Sequence, residues 1–255
     1  MPINESHSYK PDPENDNKIG FMKLIGRLAR FLIQAVMFVI LLFFILLFIF
    51  RWAPIPTSAF IYQQNALAKQ SPKIYLKASY EWQDWDGIPL HVALAVVAAE
   101  DQRFPQHWGI DVVELKKAFA QRGKKKRPRG ASTITQQTAK NLFLWNGRSY
   151  IRKVIEAAMS VAIEVTWPKQ RILEVYLNIA QFGDATYGIK AASYELFDKT
   201  PRELSLEEAA MLAAVLPKPA ASNINNPSSG LLKRQKWILK QMKQLGGNAY
   251  LLKLK

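Results

Sequence analysis

The sequence predicts a mainly α-helical protein with one membrane-spanning helix near its N-terminus. Three observations carry this. Residues 31–50, from Phe31 to Phe50, are twenty residues with no charge and one polar side chain, Gln34. From Pro89 onward, apolar residues recur at helical spacing between Gly, Pro and Ser breakers. No long segment alternates with the period of a strand, and no internal repeat is present.

Residues 1–30 read as a cytoplasmic tail, polar and disordered over 1–20, where Pro11 and Pro13 lie. The twenty residues 31–50 span about 30 Å at helical rise, the thickness of a hydrocarbon core. Apolar side chains surround the whole helix, which argues against the core helix of a soluble protein. The run exceeds an ordinary signal-peptide core, a long tail precedes it, and no small-x-small site follows, which argues against cleavage. Lys18, Lys23, Arg27 and Arg30 precede the span, and only Arg51 closely follows it. The positive-inside rule therefore predicts a cytoplasmic N-terminus, with residues 52–255 on the outer side of the membrane.

Trp52, Pro54 and Pro56 mark the outer interface. Residues 51–88 read as a juxtamembrane segment rich in Tyr and Trp, and residues 89–255 as a single helical domain. Helices are predicted over 90–99 and 111–121, followed by a basic loop over 122–129. Ser132 is the expected N-cap of a helix running to Asn141. A long helix is predicted over 148–165, and another from Pro168 to Ile179. Gly183 and Gly188 punctuate a loop. An Ala-rich helix over 206–216 stops at Pro217-Lys218-Pro219, and a basic amphipathic helix runs from Pro227 to Gly246-Gly247.

The chain has 35 Lys and Arg against 20 Asp and Glu, a formal charge of +15. That balance suits a polyanionic partner. A domain outside the membrane argues against nucleic acid and for a lipid-linked or phosphate-bearing envelope substrate. The absence of Cys is compatible with an oxidising compartment.

Five blocks carry candidate chemistry. In the first, Glu100-Asp101-Gln102-Arg103-Phe104-Pro105-Gln106-His107-Trp108-Gly109, adjacent carboxylates and the apolar walls of Phe104 and Trp108 can raise a pKa toward the range a general acid or base needs. Taken alone, this block fits an acidic helix end with a surface His slightly better. The second, residues 130–141, gathers Ser132, Thr133, Gln136, Gln137, Lys140 and Asn141 in one helix, a surface able to hydrogen-bond a sugar or phosphate. In the third, Arg148 precedes Arg152, Lys153 and Glu156, and the last three share a helix face as an ordinary ion pair also would. The fourth, residues 169–178, mixes core positions with polar groups of uncertain role. The fifth, residues 209–219, reads as core packing with a rigid exit. Glu164, among apolar neighbours, reads as structural.

In order and spacing, the blocks resemble the five motifs of the peptidoglycan glycosyltransferases: E-D-x-x-F-x-x-H-x-G, G-x-S-T-I-T-Q-Q-x-x-K-N, R-K-x-x-E, K-x-x-I-L-E-x-Y-L-N and a looser A-A-x-L-A-x-x-L-P-x-P. The resemblance covers roughly residues 90–220. It implies a lysozyme-like, mainly helical glycosyltransferase domain with a membrane-proximal jaw. It also implies a monofunctional enzyme, since no S-x-x-K transpeptidase motif occurs in the chain.

The resemblance further implies that lipid II is joined to a growing glycan chain with inversion. Glu100 would be the general base, and Glu156 the second carboxylate. Lys140, Arg148, Arg152 and Lys153 would stabilise the lipid pyrophosphate, and Glu156 would orient them or hold a divalent cation, Mg or Mn, on it. Ser132, Thr133, Gln136, Gln137 and Asn141 would grip sugars and phosphates, while Asp101, Phe104 and His107 would position and tune Glu100. No organic cofactor is implied. An inner-membrane location with a periplasmic catalytic domain is implied too, with cell-wall synthesis or division proteins as candidate partners. A lytic enzyme of similar fold is the nearest alternative, and a non-catalytic adaptor for anionic lipid the more distant one.

Overall fold

The computed structural model describes residues 13–120, 132–147 and 149–254. The chain divides into two compact units, 1–49 and 50–255.

The described residues of the first unit form one helix, α1 (Pro13–Phe50), which ends at the first residue of the second unit. It begins inside the polar segment read as disordered, where Pro13 and the acidic Glu14 and Asp16 are residue types that suit a helix N-terminus. Within it, Met22–Phe50 has a mean hydropathy of 3.2 and is long and apolar enough to cross a bilayer.

The second unit is almost entirely helical, with α2 (Ala59–Gln70), α3 (Leu90–Glu100), α4 (Val112–Ala120), α5 (Ile134–Phe143), α6 (Tyr150–Thr166), α7 (Lys169–Ile179), α8 (Ile189–Phe197), α9 (Leu206–Val215) and α10 (Ser229–Gln244). Short 3-10 turns join several of these. β1 (Ser79–Tyr80) and β2 (Thr186–Tyr187) pair in parallel, with Ser79 against Thr186 and Tyr80 against Tyr187.

Two helix groups position the site. α3 packs against α9 and α10, and α5 against α6 and α7. Every residue of α3 from Val92 to Ala99 is buried. The helix is apolar on all sides yet only 11 residues long, so it forms the axis of a core instead of crossing a bilayer. α7 is buried along Arg171–Ile179.

The polar side chains of α7 bind the segment before α3. Arg171 donates to the backbone carbonyl of Phe50 at 3.0 Å, reaches that of Ala53 and stacks over Trp82 at 4.9 Å. Glu174 pairs with Arg171 at 2.7 Å and accepts from the N–H of Trp85 at 2.7 Å. Asn178 accepts from the N–H of Gln83 and donates to its carbonyl, at 2.7 and 2.8 Å. The Tyr80 hydroxyl, its pKa pushed up to about 12 by burial, donates to the Ile55 carbonyl. The juxtamembrane segment is thus tied into the same compact unit as the helices that follow it.

One cap differs from expectation. Thr133, not Ser132, is the N-cap of α5. Its hydroxyl oxygen accepts from the N–H of Gln136, and Gln136 returns a bond to the N–H of Thr133, both at 3.1 Å. This reciprocal box satisfies two donors at once, which a cap one residue earlier would forgo. The predicted basic loop over 122–129 lies outside the described residues.

Candidate active site

Glu100 is the last residue of α3 and stands where the two helix groups meet. Its side chain is 15% exposed. Oε2 accepts from Gln137 Nε2 of α5 at 2.9 Å, and Oε1 from Arg234 Nη2 of α10 at 3.0 Å. Gln137 is aimed in turn by the Tyr176 hydroxyl of α7, which donates to its Oε1 at 3.1 Å. Tyr176 is fully buried, and burial drives its pKa well above the ordinary value, so it remains a neutral donor. Because that hydroxyl claims the amide oxygen, the amide nitrogen is directed at Glu100.

The rest of the first block supports this arrangement. Asp101 is buried, accepts from His107 Nε2 at 2.9 Å and accepts from the N–H of Ile134 in the first turn of α5 at 3.0 Å. It therefore joins the end of α3 to the start of α5, where the helix dipole favours a carboxylate. Phe104 is fully buried beneath the Lys169 ammonium, 4.4 Å from its ring. Lys169 also donates to the His107 carbonyl at 2.6 Å and to Glu164 at 2.7 Å. Glu164 additionally accepts from Thr135 at 2.6 Å, in keeping with the structural role read for it.

The third block meets the second. Glu156 is buried and engaged on both oxygens, by Arg152 Nη1 at 2.8 Å and by Lys153 Nζ. Lys153 also donates to Ser132 Oγ at 3.0 Å. Lys140 is drawn toward the same region. Burial lowers its pKa from the ordinary lysine value, with Glu156 and Glu100 opposing that shift and Arg152 and Lys153 adding to it. Two cations pair with Glu156 and a third, Lys140, feels its charge, which leaves a surplus of positive charge. Lys140 and Asn141, with Gln137, Tyr176, Phe60 and Pro217, line a cleft of about 320 Å³. Asn141 Oδ1 and Arg152 Nε are buried without a hydrogen-bond partner among the described residues. Arg148 lies outside the described residues.

Several residues typed as sugar or phosphate contacts carry local structure. The hydroxyl of Thr133 and the amide of Gln136 are engaged in the capping box, and Thr133 also donates to the Gly109 carbonyl at 2.5 Å. Lys140 and Asn141 line the cleft, and Lys153 and Ser132 meet each other beside Glu156. Sequence reading missed Arg234 and did not assign Tyr176, because both act across long separations. Arg234 showed only as one basic residue of an amphipathic helix.

The residues do not fit a divalent cation on Glu156, since both of its oxygens already face cations. Asp101, His107 and Asp111 bring possible ligand atoms within 4.8 Å of one another. There too the carboxylates are engaged, Asp101 by His107 and Ile134, Asp111 by Arg103 and by the N–H groups of Val113 and Glu114.

A carboxylate held by a cleft-lining glutamine, with a net-positive cluster on the following helix, suits transfer to a hydroxyl with an anionic leaving group. The Transglycosylase family model matches residues 68–243. The chain is 46% identical over 228 residues to a Biosynthetic peptidoglycan transglycosylase of Cronobacter sakazakii, covering 89% of this chain and 95% of that one. It is 48% identical over 204 residues to the proteins of that name in Citrobacter koseri and Escherichia coli K12, covering 80% of this chain and 84% of each. With the five blocks in order and the helical body around them, the chain belongs to the transglycosylase family.

Proposed function

We propose that this chain is a peptidoglycan glycosyltransferase that polymerises lipid II, with Glu100 as general base and Lys140, Arg152 and Lys153 receiving the lipid pyrophosphate. Glycosyltransferase activity follows from the family. The roles of the residues rest on one observation above all: Glu100 and the Glu156 cation cluster are joined through a single helix, α5. Gln137 on that helix holds Glu100, and Lys140, one turn on, lies in the field of both carboxylates.

In the proposed step, Glu100 takes the proton of the 4-hydroxyl on the acceptor sugar. Each carboxylate oxygen still has a lone pair to accept it. The hydroxyl oxygen attacks the anomeric carbon of the growing chain as the bond to the pyrophosphate oxygen breaks, so configuration inverts. The leaving group departs as an anion and needs no acid where cations meet it. Arg148 belongs to this set by residue type. The surplus of cations favours a pyrophosphate leaving group over the lytic alternative, in which a sugar hydroxyl departs and needs a proton donor.

The N-terminal helix is a membrane anchor, and the charge asymmetry around it supports a cytoplasmic N-terminus with a periplasmic body at the inner membrane. Purified Glu100→Gln protein, assayed on lipid II and separately on sacculi, tests the reading. The expected result is a folded protein that makes no glycan strands, against a wild type that elongates lipid II and leaves sacculi intact. Near-normal polymerisation by the variant removes Glu100 as base, and digestion of sacculi by the wild type favours the lytic reading.

A further inference from the structure

Resting on the reading of Glu100 as general base, we infer that Arg234, a residue of the C-terminal helix outside all five blocks, is the positioning residue that fixes the Glu100 carboxylate in its reactive orientation. Glu100 ends its helix, so the following turn does little to confine its side chain. The terminal torsion of a Glu side chain is broad, and a carboxylate held at one oxygen still swings about it. Gln137 holds only Oε2. The second hold comes from the opposite helix group, as Arg234 Nη2 on Oε1 at 3.0 Å. Two donors from two helices set the plane of the carboxylate, and with it the direction of the remaining lone pairs.

The same C-terminal elements steady the chain just past Glu100. Gln102 Nε2 donates to Gln241 of α10 at 3.0 Å, and the Tyr250 hydroxyl donates to the Gln102 carbonyl at 2.6 Å. The Arg234 side chain is 33% exposed, and ion pairs with that much solvent contribute little to stability. Its effect therefore belongs to turnover and not to folding.

Full-length protein in detergent is assayed on lipid II as wild type, Arg234→Met, Arg234→Lys and Glu100→Gln. Lys240→Ala, exposed on the same helix, controls for α10 itself. Arg234→Met is expected to lower kcat about 10- to 100-fold, the scale of a misplaced reacting group, with KM and melting temperature nearly unchanged. Arg234→Lys keeps the charge without the planar fork and recovers part of the loss. A raised KM at unchanged kcat makes Arg234 a substrate contact and overturns the inference. So does unchanged turnover, or a kcat that falls only in step with melting temperature. An active Glu100→Gln overturns the base assignment instead, whereas an inactive Glu100→Gln beside a fully active Arg234→Met removes only the positioning role.

Discussion

Glu174, in the fourth block, accepts a hydrogen bond from the backbone N–H of Trp85 at 2.7 Å, across 89 residues of chain. With Arg171 and Asn178 it binds the backbone between Phe50 and Trp85 to the buried helix α7. The fourth block thus ties the segment 50–85 to the helices of its own unit, a role its polar residues did not disclose in the sequence.

Glu174→Gln keeps the shape but turns a charged acceptor for Arg171 into a neutral amide. The expected loss is about 2 kcal/mol, because a buried Arg171 loses its counter-charge. Urea unfolding would measure it, and limited proteolysis would show earlier cleavage between residues 51 and 88. Equal stability and an unchanged cleavage pattern would show that the strap is dispensable.

Lys140 serves the leaving group only while protonated. Burial weakens its hold on the proton, so the charge is lost as pH rises through a value below the ordinary lysine range. The alkaline fall in kcat should therefore begin earlier than an exposed lysine would give. Lys140→Arg, charged at all accessible pH, should move that fall to higher pH. Lys140→Ala should lower turnover on the order of a hundredfold at neutral pH. A profile unchanged in Lys140→Arg assigns the alkaline limb to another group.

Glu156 opposes the effect of burial on Lys140. Glu156→Gln should then shift the alkaline limb the other way, to lower pH. It should also cost about 3 kcal/mol of stability, since partly buried Arg152 and half-exposed Lys153 lose their shared buried partner. Thermal melting together with the pH profile separates the two consequences. Movement of the limb upward would contradict the proposed coupling.

Gly109 closes the first block with φ +78, and a Cβ there would stand 3.0 Å from the Ser160 carbonyl oxygen of α6. Gly109→Ala meets both a disfavoured backbone region and a backbone contact that cannot turn away. The expected cost is about 1–3 kcal/mol, read as a lowered melting temperature. A variant as stable as wild type would mean that α6 and this loop move apart freely.

Much of the molecule was legible before its fold was known. The apolar run and the helices read over 90–99, 111–121, 148–165, 168–179 and 206–216 follow from local hydropathy and residue type and have counterparts in the structure, whereas α2 and α8 were not read from the sequence. The errors were also local. Placing the cap at Ser132 misjudged by one residue which side chain meets the N3 amide. Thr133 and Gln136 form the capping box of α5, and a capping box and a polar binding face use the same residue types.

What the sequence determined by itself was the inventory: an apolar helix, a helical body, two glutamates, a set of cations and their order along the chain. The tertiary structure alone decided which donor meets which oxygen. Gln137 reaches Glu100 across 37 residues and Arg234 reaches it across 134, from two different helix groups. Periodicity and spacing report only on neighbours within a few turns. The orientation of one carboxylate depends on packing between helices that are far apart in the chain, so Arg234 became visible only once α3 and α10 lay side by side.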